Sequence, residues 1–210
     1  MNDTQPIKIR SLGLVDYETT LTSMSDFTDR RDADTPDEIW LLEHPPVYTL
    51  GLNADRAHVL APGDIPIVQV DRGGQVTYHG PGQLIVYTLI DLKRARLGIR
   101  DLVSGLENAV IAVLAARGVE AAARRDAPGV YVDGAKLASV GLRIRRNCSY
   151  HGLSVNIAMN LEPFGRINPC GFDDLVITQL STLDDSANLA SVQSELLEKL
   201  LTELGRDGSF

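Results

Sequence analysis

Two periodicities run through this chain. After Asp101, apolar residues recur at Leu102, Leu106, Val110, Val113 and Leu114, the spacing that returns one face of a helix to the core. Asp101 is the predicted N-cap of that helix and Gly118 its stop. A second stripe, Val192, Leu196, Leu197, Leu200, Leu201 and Leu204, follows Asn188 and closes at Gly205. A third and weaker one covers residues 15–27. Between them lie short runs rich in β-branched residues, which predict strands at 65–70, 84–92 and 129–132. Residues 138–145 and 153–157 read as a strand pair joined by a polar turn. Residues 38–50 are broken at Pro45-Pro46, where proline cannot donate to a ladder, so they predict two short strands or a strand and a bend. The polar run 25–38 reads as a solvated loop or a helix end. These stripes are core packing. They predict an α+β fold and say nothing of chemistry.

Composition narrows the function classes. The chain has 210 residues, 44% hydrophobic and 23% charged, an ordinary globular balance. A chain this long buries roughly 70% of its unfolded surface, which predicts one domain with room for a small second lobe. Twenty Lys+Arg against 28 Asp+Glu give a net charge of −8. That excludes a general nucleic-acid binder, which needs a basic footprint. With no apolar run of about 18 residues and no apolar stretch at the N-terminus, neither a membrane span nor a secretory signal is expected. Two cysteines, Cys148 and Cys170, make no disulfide framework. A reducing cytoplasm is the expected location.

The densest cluster of special residues is 71–83, DRGGQVTYHGPGQ. Its glycines free backbone N–H groups to cradle an anion or a carbonyl oxygen. It is no P-loop, because G-x-x-x-x-G-K-[ST] is absent, and no Rossmann turn, because a strand follows. A plain hairpin turn needs two to five residues, and this segment is far longer, so ligand binding is the reading carried forward. Residues 75–78 can themselves be extended, with Arg72 and His79 at the two ends of a short arm.

Lysine is scarce. Lys8, Lys93, Lys136 and Lys199 stand against 16 arginines, and Lys136 alone sits among small and apolar neighbours. A desolvated lysine can give up a proton where arginine cannot. The plain alternative is a turn lysine after Asp133-Gly134. Cys170, between Pro169 and Gly171, belongs to an irregular loop. It is either a packed cysteine or a nucleophile, and a nearby ammonium would favour its thiolate. Lys136 is the first candidate for that ammonium, followed by His79 and His151. Cys148 and His151 form C-x-x-H, which with Cys170 and His79 has the composition of a zinc site, though not the spacing of a known finger. Cys148 reads better as packing.

Three segments taken together carry a resemblance: RGGQVTYHGPGQ at 72–83, GAKLASVGLRIR at 134–145, and HGLSVN at 151–156 followed by INPCG at 167–171. Over nearly the whole chain they resemble the octanoyltransferases of lipoic acid biosynthesis, the lipoate-protein ligase B family. The resemblance implies a mixed β-sheet flanked by helices, as in biotin and lipoate protein ligases, with a main lobe over about 1–165 and a small C-terminal lobe over about 166–210. It implies transfer of octanoyl from the phosphopantetheine of acyl carrier protein to a lysine of lipoyl domains of 2-oxoacid dehydrogenases and of the glycine cleavage H protein, using neither ATP nor metal; a monomer is expected. It implies that Cys170 carries the acyl group as a thioester and that Lys136 lowers the thiol pKa. The implied substrate-binding residues are Arg72, Gly73, Gly74, Gln75, Val76, Thr77, Tyr78 and His79, then Ser139, Val140 and Gly141, then Gly152, Leu153 and Ser154.

Three further expectations follow. Backbone N–H groups near Cys170-Gly171 and in the glycine loop are candidate oxyanion donors. His79 and His151 are carbonyl-contacting groups or satisfied structural histidines. Because acyl carrier proteins are acidic like this chain, docking requires a local basic patch: the 143–146 arginines or Arg72, with Arg124-Arg125 as another candidate. The rivals are an ATP-dependent lipoate or biotin protein ligase, a non-catalytic module that binds acylated carrier, and a thioester hydrolase.

Overall fold

The computed structural model describes residues 6–209. In chain order it runs β1 (Ile7–Leu14), α1 (Tyr17–Arg30), β2 (Glu38–Glu43), β3 (Val47–Leu50), β4 (Ile67–Gln69), β5 (Val76–His79) and β6 (Gln83–Leu89). It continues with α2 (Leu92–Ala95), α3 (Ile99–Ala115), β7 (Ala122–Ala123), β8 (Gly129–Val132), β9 (Ala135–Arg145), β10 (Cys148–Asn156), α4 (Leu189–Leu204) and β11 (Gly208–Ser209). The main sheet has the order β11-β1-β2-β6-β10-β9-β8-β7, and β4-β3-β5 form a second, smaller sheet. Strand β1 runs parallel to β2 and β11, while β2 onward to β7 pair antiparallel. The α+β class and mixed sheet of the sequence expectation are present.

Alternation along the central strands feeds two cores. Ile39, Leu41, Leu84, Val86, Leu153 and Val155 face α3 and α4, which bring Leu102, Leu106, Val110, Leu196 and Leu200. The intervening Trp40, Leu42, Ile85, Tyr87 and Leu89 face the other way, with Met24 of α1. Strands β6 and β10, in the middle of the sheet, are buried along their whole length, so the floor they provide is rigid. Residues 166–209 bring α4 and β11 to the same body: α4 packs on α3 in the helix-side core, and β11 extends the sheet at β1.

Some boundaries differ from expectation. The cap of α3 is Gly98, and Asp101 sits three residues on, accepting from Gly98 N–H (2.9 Å). It still neutralises an orphan donor, from the other half of a capping box. Helix α1 runs to Arg30, so part of the polar run is its exposed surface. The long 71–83 segment divides: β5 belongs to the small sheet, and Gly80-Pro81-Gly82 hands the chain to β6 of the large one. Gly82 has φ +84, and a Cβ there would lie 2.1 Å from Ala158 O, so only glycine fits this crossing. Under one end of the sheet, buried Asp37 is held by Arg31, Arg94 (2.7 Å) and Arg206 (3.1 Å). Among the described residues no helix is long and apolar enough to cross a membrane.

Candidate active site

Lys136 owes its direction to a β-bulge. Between β8 and β9 the register steps from Val130↔Ala138 to Tyr131↔Lys136, so one residue of β9 is extra. Leu137 and Ala138 are consecutive, yet both enter the helix-side core. Two neighbours on one face flip the alternation, so Lys136 points to the same side as Ser139 and Gly141 and lines a cavity there. Its side chain lies over Gly129, where a Cβ would come within 2.7 Å of Lys136 Cε. Gly129 is fixed from below, its N–H donating to Glu107 of α3 (2.8 Å).

Lys136 is 2% exposed, and its Nζ donates to Cys170 Sγ at 3.0 Å. Cys170 sits in the 3₁₀ turn Pro169–Gly171 with φ +57, a left-handed conformation that costs a non-glycine residue energy and is held by its surroundings. Those surroundings are local and long-range. Phe172 N–H closes the turn on Pro169 O (3.1 Å), and Asn168 N–H donates to His58 O (2.8 Å). Beyond the turn, Lys136 N–H donates to Val176 O (2.8 Å) and Thr178 N–H to Lys136 O (3.0 Å), so the cysteine loop is stitched to the backbone of the lysine.

The cavity has a volume of about 240 Å³. Its floor is the row of small residues Ser139 and Gly141 on β9 beside Ser154 and Gly152 on β10. Arg72 to Thr77 and His79 line it from the loop side, along with Val140, Leu153, Lys136 and Cys170. Of the residues implied as substrate-binding, Tyr78 alone is absent from the cavity lining: its ring packs against Tyr48 and Phe164 in the core of the small sheet, which Val76 on the same face of β5 also joins, because β5 alternates and Thr77 and His79 take the cavity side.

Arg72 is buried and neutral groups hold it, Thr49 O and Oγ1 (both 2.8 Å) and Gly73 O (2.9 Å). Burial pulls its pKa below the usual value. Hydrogen-bond directions identify what His79 does. Gln83 gives its amide protons to Tyr78 O and Asn156 Oδ1, so its Oε1 accepts from His79 Nδ1–H (2.7 Å). His79 Nε2 is then an acceptor, paired with Thr49 Oγ1 at 3.3 Å, and the Thr49 oxygen in turn accepts from Arg72. His79 is a brace for Arg72, with its pKa pushed by burial down to about 3. His44 plays the same part for Tyr87. Its Nδ1–H donates to Val15 O (2.7 Å), leaving Nε2 to accept from Tyr87 OH (2.7 Å), and burial lowers its pKa to about 4.

His151 is different. Its ring lines the cavity, it sits mid-strand at φ +58, and Nε2 meets Asp71 Oδ1 at 3.0 Å. Its Nδ1 is buried without a hydrogen-bond partner. The bond from His151, with one from Tyr150 OH, outweighs burial and lowers the Asp71 pKa to about 2.

Two expectations, on the oxyanion donors and on Arg72 as a docking residue, are corrected by this geometry. Gly171 N–H and Gly73 N–H, proposed as oxyanion donors, are committed to Asn168 O and Leu142 O (both 3.0 Å). Arg72 is too deeply buried to meet a carrier protein. Cys148 lies at the start of β10 with its thiol toward Arg146 O (3.7 Å), and among the described residues no three His, Cys, Asp or Glu side chains converge as metal ligands. The sequence reading missed Tyr17, Tyr87, Ile85 and the Asp126–Pro128 corner, all lining the cavity. Only Asp126–Pro128 carried a local signal, a polar-to-proline break before a strand.

Comparison with known proteins agrees with the architecture. The profile of the lipoyl protein ligase A/B catalytic domain matches residues 16–201. An octanoyltransferase of Methylococcus capsulatus is 55% identical over 197 residues, covering 94% of this chain and 95% of that protein. An octanoyltransferase of Hahella chejuensis is 56% identical over 201 residues, covering 96% and 90%. Among solved structures, a lipoate-protein ligase A bound with ATP superposes with a TM-score of 0.81 at 12% identity, covering 98% of this chain and 88% of that one. A biotin protein ligase from Aquifex aeolicus gives 0.57 at 13% identity, covering 96% and 70%.

Proposed function

The chain belongs to the lipoyl protein ligase A/B catalytic family and within it to the octanoyltransferases, and from that premise we propose that it moves octanoyl from acyl carrier protein, through a thioester on Cys170, to a lysine of a lipoyl domain. The observation that carries this reading is the hydrogen bond from Lys136 Nζ to Cys170 Sγ (3.0 Å) at the wall of the cavity. The fold itself does not choose between transferase and ATP-dependent ligase, since lipoate and biotin protein ligases superpose on it; a positioned nucleophilic sulfur favours the transferase, because adenylation has no use for one.

The first half-reaction is thioester exchange. The Cys170 thiolate, in a charge-assisted hydrogen bond with the Lys136 ammonium, adds to the thioester carbonyl. The C–S bond to the carrier breaks, and the departing phosphopantetheine thiolate takes the Lys136 proton. One thioester replaces another, so the site supplies rate rather than driving force. In the second half the acceptor lysine attacks as a neutral amine. Lys136, now neutral, takes the proton the nitrogen sheds, and the C–S bond to Cys170 breaks to leave thiolate facing ammonium again. Amide formation from a thioester is downhill, so the acyl group arrives already activated and neither ATP nor a metal enters a step. Seven CH₂ and CH₃ groups buried at about 0.8 kcal/mol each give the chain roughly 5–6 kcal/mol of binding.

The donor is acidic acyl carrier protein, and lipoyl domains and the glycine cleavage H protein are the acceptors, in the cytoplasm. For docking, the arginines at 143–146 are partly spent at home: Arg145 pairs with Asp29 (3.2 Å), Arg146 donates to Asp29 O (2.9 Å), and Arg143 Nε is 4.0 Å from Asp71. The test is octanoylation of a lipoyl domain from octanoyl-acyl carrier protein without ATP. Wild type should transfer and Cys170→Ala should not. Transfer by Cys170→Ala would exclude the Cys170 thioester, and transfer requiring ATP and free octanoate would replace this reading with the ligase; octanoate release regardless of the acceptor would replace it with a hydrolase.

A further inference from the structure

A single row of residues crosses four adjacent strands: Gly129 on β8 pairs with Ser139 on β9, Ser139 with Ser154 on β10, and Ser154 with Ile85 on β6. The next row is Gly141, Gly152 and Tyr87. The reactive sulfur sits at the Gly129 end, because Lys136 Cε lies over Gly129 and its Nζ touches Cys170 Sγ. From there the floor carries nothing larger than a hydroxymethyl until β6, where Ile85 and Tyr87, 1% and 5% exposed, stand in the cavity lining. Tyr87 is pinned through its hydroxyl to His44 Nε2 (2.7 Å), and Ile85 is backed by Trp40 and Leu42 in the α1-side core. This wall does not yield easily.

Given the octanoyl-transfer reading above, on which this rests, we propose that Ile85 and Tyr87 form the end wall of the acyl channel and limit the chain it accepts to eight carbons. Three strand spacings of about 4.8 Å put the Ile85 column roughly 14 Å from the Gly129 column. Seven C–C bonds of about 1.5 Å, laid in an extended zigzag, carry the octanoyl methyl about 9 Å from its carbonyl carbon. The bond to sulfur brings that to about 10–11 Å, and a carbon–carbon contact of about 3.5–4.0 Å fills the remainder. Two further methylenes would need about 2.5 Å more on the same zigzag, which the channel lacks.

The experiment offers hexanoyl-, octanoyl-, nonanoyl- and decanoyl-acyl carrier protein in competition and reads the acyl groups on a lipoyl domain by mass. Wild type should prefer octanoyl over decanoyl by at least about tenfold, the usual discrimination for a methylene too many in an apolar pocket. Ile85→Ala should raise the decanoyl-to-octanoyl ratio about tenfold or more, and Ile85→Phe should move the preference toward hexanoyl. Ile85→Val keeps a β-branched strand residue and should favour nonanoyl severalfold, which keeps the idea testable if the alanine variant does not fold. Wild type that uses decanoyl as well as octanoyl, or an unchanged profile in Ile85→Val and Ile85→Phe, overturns the wall while leaving octanoyl transfer standing. Failure of wild type to transfer octanoyl at all overturns the function instead.

Discussion

Replacing Lys136 separates the two jobs assigned to it. Lys136→Met removes the ammonium and keeps an unbranched chain of similar volume in a site that is 2% exposed, so the fold should persist. The variant loses both the donor to Cys170 Sγ at 3.0 Å and the proton acceptor for the second half. Positioned acid–base groups contribute about 10²–10⁴ in rate, or about 2.7–5.4 kcal/mol of barrier at 1.36 kcal/mol per decade. Both half-reactions should slow by that range. Lys136→Arg keeps a cation beside the sulfur but cannot release a proton. It should slow acylation less than Lys136→Met does, because the cation beside the sulfur is kept although the proton for the departing thiolate is lost, while discharge to the acceptor falls at least about a hundredfold, so acyl-enzyme accumulates. The assay is rapid-quench mass analysis of the enzyme on mixing with octanoyl-carrier, then with a lipoyl domain. Discharge by Lys136→Arg at the wild-type rate, or acylation of Lys136→Met within threefold of wild type, would refute the proton-transfer role.

Asp37→Asn leaves Arg31, Arg94 and Arg206 around a neutral group; Asp37 has a fully buried side chain, and breaking such a cluster costs about 3–5 kcal/mol, to be read as a lowered denaturation midpoint. Burial raises the Asp37 pKa, but the Asp91 N–H and the arginines more than offset it and hold it low, so its contribution is present above the ordinary carboxylate range and lost as pH falls through its depressed value. His44 and His79, with pKa values near 4 and 3 against 6.5 unfolded, bind fewer protons folded than unfolded. Stability should therefore fall as pH drops from 6.5 toward 4, and His44→Gln should make that limb shallower in urea titrations at successive pH values. Reversing Arg145 and Arg146 to Glu should raise KM for the acyl carrier and weaken its salt dependence; unchanged values would exclude this patch as the docking surface.

The helices and the strand meander were legible because apolar period and capping residues agree, as at Asn188, whose side chain accepts from Ser191 N–H (3.0 Å), and at Gly205 in the left-handed conformation. Asp101 misled by one step of a capping box: its carboxylate serves a helix start either way, and sequence does not say from which position. The motif residues were legible as chemistry, but not the way they meet. Nothing in Lys136-Leu137-Ala138 announces a bulge, and that bulge is what brings the lysine to the cysteine, 34 residues away in the chain. Tyr78 shows the converse, a motif residue that alternation sends to a separate core. Ile85 and Tyr87 look like any β-strand hydrophobics; their role depends on two neighbouring strands being lined by glycine and serine on the same face.

The most direct measurement is the intact mass of the protein after incubation with octanoyl-acyl carrier protein alone, with peptide mapping and a lipoyl-domain chase. A gain of one octanoyl group mapped to Cys170, absent in Cys170→Ala and discharged onto the lipoyl domain at the rate of overall turnover, is the predicted result. Full turnover with the acyl group never on Cys170, or a Cys170 adduct that the lipoyl domain cannot discharge, would contradict the account.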